Sequence, residues 1–128
     1  VAKFLTAEWL DALTTTVNSH EGFMSSIANV ELTLQFEIPD APDGTEGAYY
    51  MAVADGKAIA APGAAEDPDA TIVQSYETAQ AISKGELNTQ MAFMTGKLKV
   101  SGNMAKLMMN QAMLGQFAAA TAGMDVEY

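Results

Sequence analysis

A single histidine, His20, stands between Ser19 and Glu21 with Ser25 nearby, so the parts of a serine–histidine–acid triad can be assembled around it. Such a triad is defined by spatial roles rather than by neighbourhood in the chain. An imidazole at the end of an apolar-periodic stretch also has a simpler use in ending a helix. No GxSxG, phosphate loop or GxGxxG is present, so the common motif-bearing enzyme families gain no support. The absence of cysteine removes thiol catalysis, cysteine-built zinc sites and CxxC redox chemistry. Two acidic clusters, Asp40, Asp43, Glu46 and Glu66, Asp67, Asp69, carry oxygens that calcium could use. Neither has EF-hand spacing, and solvated loops account for both. Glu31, Gln35 and Glu37 read as the wet face of a strand rather than as paired catalytic carboxylates. The expectation is a non-enzymatic chain with no catalytic residue, metal or cofactor.

Methionine is what rises above ordinary composition. Of the 9 in the chain, Met91, Met94, Met104, Met108, Met109, Met113 and Met124 fall in its last third. Unbranched and polarizable, methionine conforms to irregular apolar shapes. The cluster therefore suits either a pocket wall that accepts varied apolar ligands or a loosely filled core under the last helix.

The elements that must position these residues can be read from periodicity and punctuation. Thr6 caps a helix in which Leu5, Trp9, Leu10, Leu13 and Val17 share a face, with Asn18 and Gly22 marking its end. Val30 to Ile38 alternates apolar and polar residues without interruption and predicts a half-buried strand. Prolines and glycines then punctuate an acidic loop. Ala48–Ala54 and Lys57–Ala61 flank Asp55-Gly56, a pair suited to a two-residue hairpin. Asp69–Gln74 reads as a fourth strand. Ser75 caps a helix to about Lys84, stopped by Gly85, and Asn88 caps a shorter one stopped by Gly96. Lys97–Ser101 alternates as a fifth strand, with Leu98 and Val100 inward and both lysines outward. Asn103 caps a last helix from Met104 to about Ala122. This order predicts one α+β domain over residues 1–128, its helices packed on one sheet face.

Charge and length narrow the partners. The chain has 128 residues and a net charge of −10, and each of its 6 basic residues is a lysine. Nucleic-acid binding depends on neutralising phosphates, so no nucleic-acid partner is expected, and anionic membranes repel such a chain. With no long apolar run, a cytoplasmic location is the default expectation.

Asp69-Ala70-Thr71-Ile72, Gly85-Glu86-Leu87-Asn88-Thr89-Gln90 and the run Ala92 to Ala105 together resemble the signature half of sterol carrier protein type 2 domains. The order of elements matches as well. The resemblance implies a five-stranded sheet with helices packed on one face and an apolar tunnel between them. That tunnel would take a fatty acid, acyl-CoA, sterol or other lipid. It places Phe93, Met94, Met104 and Met108 at the family's apolar positions. Helical position extends the expected lining to Leu107, Met109, Met113, Leu114 and Phe117, with Trp9 opposite them from the first helix.

Departures from the family pattern bear on the partners. Familiar eukaryotic members are basic and end in a peroxisomal address, whereas this sequence is acidic and ends Val126-Glu127-Tyr128, so peroxisomal residence is not expected. Met109 stands where a lysine is common, which weakens membrane docking and capture of an anionic head group. The leading expectation is a lipid-binding and transfer protein making transient membrane contact, in which Ala118–Gly123 is a candidate lid hinge. The alternative is an interaction or accessory domain for a lipid-metabolising enzyme partner, with a filled core.

Overall fold

The computed structural model describes the chain except for Val1, Gly85, Asn88, Gly123, Asp125 and Tyr128; of Thr89, Gln90, Gln111, Leu114, Ala118 and Ala122 it describes the backbone alone. The expected helix stop at Gly85, the cap at Asn88, Leu114 as a lining side chain and the hinge glycine Gly123 therefore lie outside the described residues. The elements run β1 (Ala2–Lys3), α1 (Ala7–Ser19), α2 (Glu21–Ser26), β2 (Leu32–Glu37), β3 (Ala48–Ala54), β4 (Lys57–Pro62), β5 (Ala70–Gln74), α3 (Tyr76–Ser83), α4 (Thr89–Met94), β6 (Leu98–Gly102), α5 (Met104–Met109), α6 (Gln111–Ala122) and β7 (Val126–Glu127). Five strands form one sheet in the order β4-β3-β2-β5-β6, and β1 pairs in parallel with β7 as a small second sheet. Within the large sheet, β2 and β5 are parallel and the other neighbours antiparallel.

Local chemistry explains these boundaries. Thr6 Oγ1 accepts from Trp9 N–H, Ser75 Oγ from Thr78 N–H and Asn103 Oδ1 from Lys106 N–H, so α1, α3 and α5 start where side chains satisfy first-turn donors. Asp55 and Gly56 take φ of 54° and 73°, the pair of positive dihedrals that a type I′ hairpin demands. The predicted helix 104–122 is instead two, α5 and α6, broken at Asn110. There the side-chain amide donates to Lys106 O at 2.8 Å and the backbone N–H turns to Leu107 O, so the side chain competes with the helical ladder. Helix α2 was not expected. His20 caps it, Nδ1 accepting from Phe23 N–H at 3.0 Å, while the same residue closes α1.

Two side-chain devices fix the sheet. Strand β4 is an edge, and α1 lies along it: Asn18 Nδ2 donates to Ala58 O at 2.8 Å, Ala58 N–H donates to Asn18 Oδ1 at 3.0 Å, and Ala60 N–H donates to Thr14 Oγ1 at 2.9 Å. An edge that would otherwise offer free pairing groups is thereby closed. On the far face of the sheet, Gln35 is not the wet residue its alternation suggests. It is 4% exposed because the loop after β4 folds across it. Its Oε1 accepts from Ala65 N–H at 2.7 Å and its Nε2 donates to Gly63 O at 3.1 Å and Tyr49 O at 3.2 Å.

The main core lies between the sheet and α1, α2 and α6. It is built on Leu10, Leu13 and Val17 of α1, Phe23 of α2, Leu32, Leu34 and Met51 of the sheet, and Met113 of α6. Helix α6 packs against α1, α2 and α3. Among the described residues, no helix is long and apolar enough to cross a membrane.

Candidate functional site

A cavity of about 90 Å³, partly open to the surface, lies between the helices and one sheet face. Its floor follows from strand register. Phe36 pairs with Tyr49 on one side and Ile72 on the other, Leu34 pairs with Met51, and Gln74 pairs with Leu98, so these inward positions form a continuous surface across β3, β2, β5 and β6. The opposite wall comes from Phe4, Trp9 of α1, Ala79, Ile82 and Ser83 of α3, and Phe117 and Thr121 of α6. Among the described residues, no acidic or basic side chain lines it.

Aromatic contacts hold one end in shape. Trp9 meets Phe4 edge-on at 5.0 Å and Tyr49 edge-on at 5.6 Å, while Tyr49 stacks on Phe36 at 4.9 Å. These are the offset and T-shaped arrangements that aromatic quadrupoles favour. Burial pushes the Tyr49 phenol well above its ordinary range by disfavouring its charged form. At the other end, Gln74 also borders a surface depression formed by Pro39, Asp40, Val73, Ser75, Lys97 and Lys99.

The residues expected to line a tunnel are distributed unevenly. Trp9 and Phe117 face the cavity. Leu107 and Met113 are buried in the core, and Met104 packs half-buried against it. Phe93, Met94, Met108 and Met109 lie at the surface, Met94 and Met109 at 75% and 83% exposure. Short helices explain this outcome: α4 buries Ala92 and turns Met91 and Met94 outward, while α5 buries Leu107, leaves Met104 half-buried against the core and turns Met108 and Met109 outward. Among the described residues, the one methionine in the cavity wall is Met51 of β3. Sequence reading missed the sheet floor, although the inward alternation of Leu34, Phe36, Tyr49, Met51, Ile72 and Leu98 carried the signal.

The other candidate groups have structural employment. Nδ1 of His20 is taken by the α2 cap, and among the described hydrogen bonds none joins it to Ser25. Asp69 ties three elements together: its Oδ2 accepts from Thr33 N–H at 2.8 Å, Oδ1 meets Lys106 Nζ at 3.1 Å, and its backbone oxygen accepts from Asn103 N–H. The Thr33 hydrogen bond holds its carboxyl below the usual range against the opposing effect of burial, and the Lys106 ammonium adds to the lowering. Among the described residues, no group of three or more histidines and acids gathers as a metal ion requires.

The model of the SCP-2 sterol transfer family matches residues 8–115. The chain belongs to that family. It is 36% identical over 88 residues to sterol carrier protein 2 of Gallus gallus, covering 69% of this chain and 16% of that protein. To sterol carrier protein 2 of Rattus norvegicus it is 32% identical over 93 residues, 73% of this chain and again 16% of the relative. The chain thus spans about a sixth of the length of these curated relatives. A crystal structure of sterol carrier protein 2 aligns with a TM-score of 0.81 over 96% of this chain and 100% of that one, at 22% identity. Such a likeness shows the fold: a five-stranded α+β sheet layer under helices. Family membership supports lipid binding or transfer as the general class of function.

Proposed function

We propose that this chain is a lipid carrier whose ligand lies in the cavity between the sheet and α1, α3 and α6. The observation that carries this reading is the wall itself: largely aromatic and aliphatic and, among the described residues, without a charged side chain. Removing apolar ligand surface from water at about 25 cal/mol per Å² supplies the binding free energy. At about 90 Å³ the cavity is smaller than the roughly 300–1,000 Å³ of pockets that enclose drug-sized ligands. In this reading a long acyl chain or a sterol-like body therefore enters by widening it. Trp9 and Phe117 contact the ligand directly, while Leu107 and Met113 support the wall from behind. Exposed Phe93, Met94, Met108 and Met109 serve as soft apolar contacts with the lipid surface from which ligand is drawn. Net charge of −10 favours an uncharged surface over an anionic one.

Native mass spectrometry of the purified chain, followed by organic extraction, tests the proposal. A co-purifying or added lipid at near one-to-one stoichiometry is the expected result. A chain that stays empty when offered fatty acids, fatty alcohols and sterols would end the carrier reading.

A further inference from the structure

The two edges of the large sheet end differently. Strand β4 is closed by Asn18 and Thr14 of α1, whereas among the described residues no strand lies beyond β6. Asn103 N–H donates to Asp69 O at 2.7 Å, which sets the phase of the β5–β6 ladder. Opposed residues of an antiparallel pair alternate between bonded and non-bonded pairs, so Lys99 and Ser101 turn their backbone groups toward β5. Leu98, Val100 and Gly102 turn theirs outward, and among the described residues none of these N–H or C=O groups has a partner. Val100 is half-buried and Gly102 exposed. A row of unpaired backbone groups on a sheet edge is a template for another strand.

The side chains along this edge specify the partner. Lys97, Lys99 and Ser101 alternate with Leu98 and Val100, so the two sets lie on opposite faces of the sheet. Leu98 and Val100 carry the small core of Ile72 and Ala92 out to the edge. On the other face both lysines are exposed, and among the described residues neither has an ion pair; the pair present joins Lys106 to Asp69. Asp40 borders the same surface depression but is drawn to the start of α3, where its Oδ1 accepts from Tyr76 N–H at 2.8 Å. The neighbouring sequence supplies no counter-charge: residues 87–124 hold three lysines and no acid, in a chain whose net charge is −10. A second copy is a poor occupant, because two β6 edges would gather four ammonium groups on one face of the joined sheet. We propose that β6 takes an extended protein segment in which acidic and apolar residues alternate. The segment adds a sixth strand: its backbone pairs with Leu98, Val100 and Gly102, its acids face Lys97 and Lys99, and its apolar residues extend the surface of Leu98 and Val100. The lysines then act twice, repelling another copy and selecting the partner. Nothing in this pairing requires a ligand in the cavity.

The full chain, labelled with nitrogen-15, is titrated at pH 7.5 and low salt with a short peptide of alternating glutamate and valine, and with its lysine–valine counterpart. The acidic peptide is expected to bind at least about tenfold tighter than the basic one. At saturation it should slow hydrogen exchange about tenfold or more at the Val100 and Gly102 amides, while those of Lys99 and Ser101, already bonded to β5, change little. Lys99→Glu should abolish the preference for the acidic peptide. Val100→Pro, which removes an outward N–H and no bond to β5, should abolish binding. Failure of the acidic peptide to bind, equal affinity for the two peptides, or binding without slowed exchange at Val100 and Gly102 overturns the assignment. Protection of the same amides without peptide, by raising the concentration of the chain or by adding phosphatidylcholine vesicles, gives the edge to a second copy or to a membrane and overturns it as well. Exchange in the unaltered chain decides the matter even if neither variant folds.

Discussion

Gln35→Leu and Gln74→Leu are the same chemical change at two buried positions in one sheet, and the structure assigns them opposite effects. Leucine roughly conserves volume and removes the amide. At position 35 the amide makes bonds to Ala65 N–H, Gly63 O and Tyr49 O, with the residue 4% exposed. At about 1 kcal/mol net for each bond, with an added penalty for backbone groups left partly unpaired, the loss is about 2–4 kcal/mol. For a chain of this size that corresponds to a fall in Tm of roughly 10 °C. At position 74 the oxygen already lacks a partner among the described residues, so replacement removes a desolvation cost instead of a bond. The ligand-free protein should be unchanged or stabilised by about 1–2 kcal/mol. Urea unfolding of both variants beside the parent, with equal m-values as the check on a common unfolded state, measures the difference directly. Comparable losses at the two positions would refute the reasoning that the fold draws no bond from the Gln74 oxygen.

Asn18→Ala should cost about 2 kcal/mol, because both bonds between its amide and Ala58 on the β4 edge disappear; hydrogen exchange at the Ala58 amide should quicken before global unfolding does. The lowered carboxyl of Asp69 contributes stability that is present above the unfolded aspartate value of about 3.9 and is lost as pH falls through its folded value. Acid unfolding of Asp69→Asn should lose that part of the slope. Tyr49 has the opposite sign: its raised phenol contributes stability that is full below an unfolded value of about 10 and declines as pH rises past it. Tyr49→Phe should flatten the alkaline limb of a stability curve. Gly102→Ala should destabilise strongly, since φ is +106° and a Cβ there would stand 2.5 Å from Asp69 O and 2.8 Å from Ala70 Cα.

How far the sequence could be read depends on whether the determining physics is local. Caps at Thr6, Ser75 and Asn103 and the Asp55-Gly56 turn act within a few residues, and the structure places them where spacing put them. Gln35 was misread because alternation describes a strand's two faces but says nothing about a loop that folds across one of them from positions 63 to 65. Asn110 breaks the last helix through a bond between its own side chain and Lys106 O, a competition that a capable helical pattern conceals. For the methionines, helical spacing located a face without saying which way a six-residue helix would turn it. Met91, Met94, Met108 and Met109 of α4 and α5 point to solvent while the cavity floor comes from strands. The resemblance carried by residues 69–105 reached the right family, yet the wall chemistry lay largely in β2, β3 and β5, where the matching pattern was only one of inward alternation.

Entry of a ligand larger than the cavity must move something, and the packing indicates which element moves at least cost. The floor is locked by sheet hydrogen bonds from β3 to β6, and α1 is fastened to β4 through Asn18 and Thr14. Displacing the floor would break many backbone bonds at once, and displacing α1 would break the side-chain bonds of Asn18 and Thr14 to the β4 edge. Helix α6 is held differently: it rests on α1, α2 and α3 through side chains such as Met113 and Phe117, and it supplies Phe117 and Thr121 to the cavity wall. Sliding it outward exchanges apolar protein contacts for apolar ligand contacts, so the cost of opening is largely offset when a lipid fills the gap. Phe117→Ala separates this account from a rigid cavity. The smaller side chain widens the wall in advance, so a long-chain ligand should bind faster and leave faster while the empty protein loses about 2–4 kcal/mol of stability. If ligand release by stopped flow were unchanged in that variant, α6 would not be the element that opens.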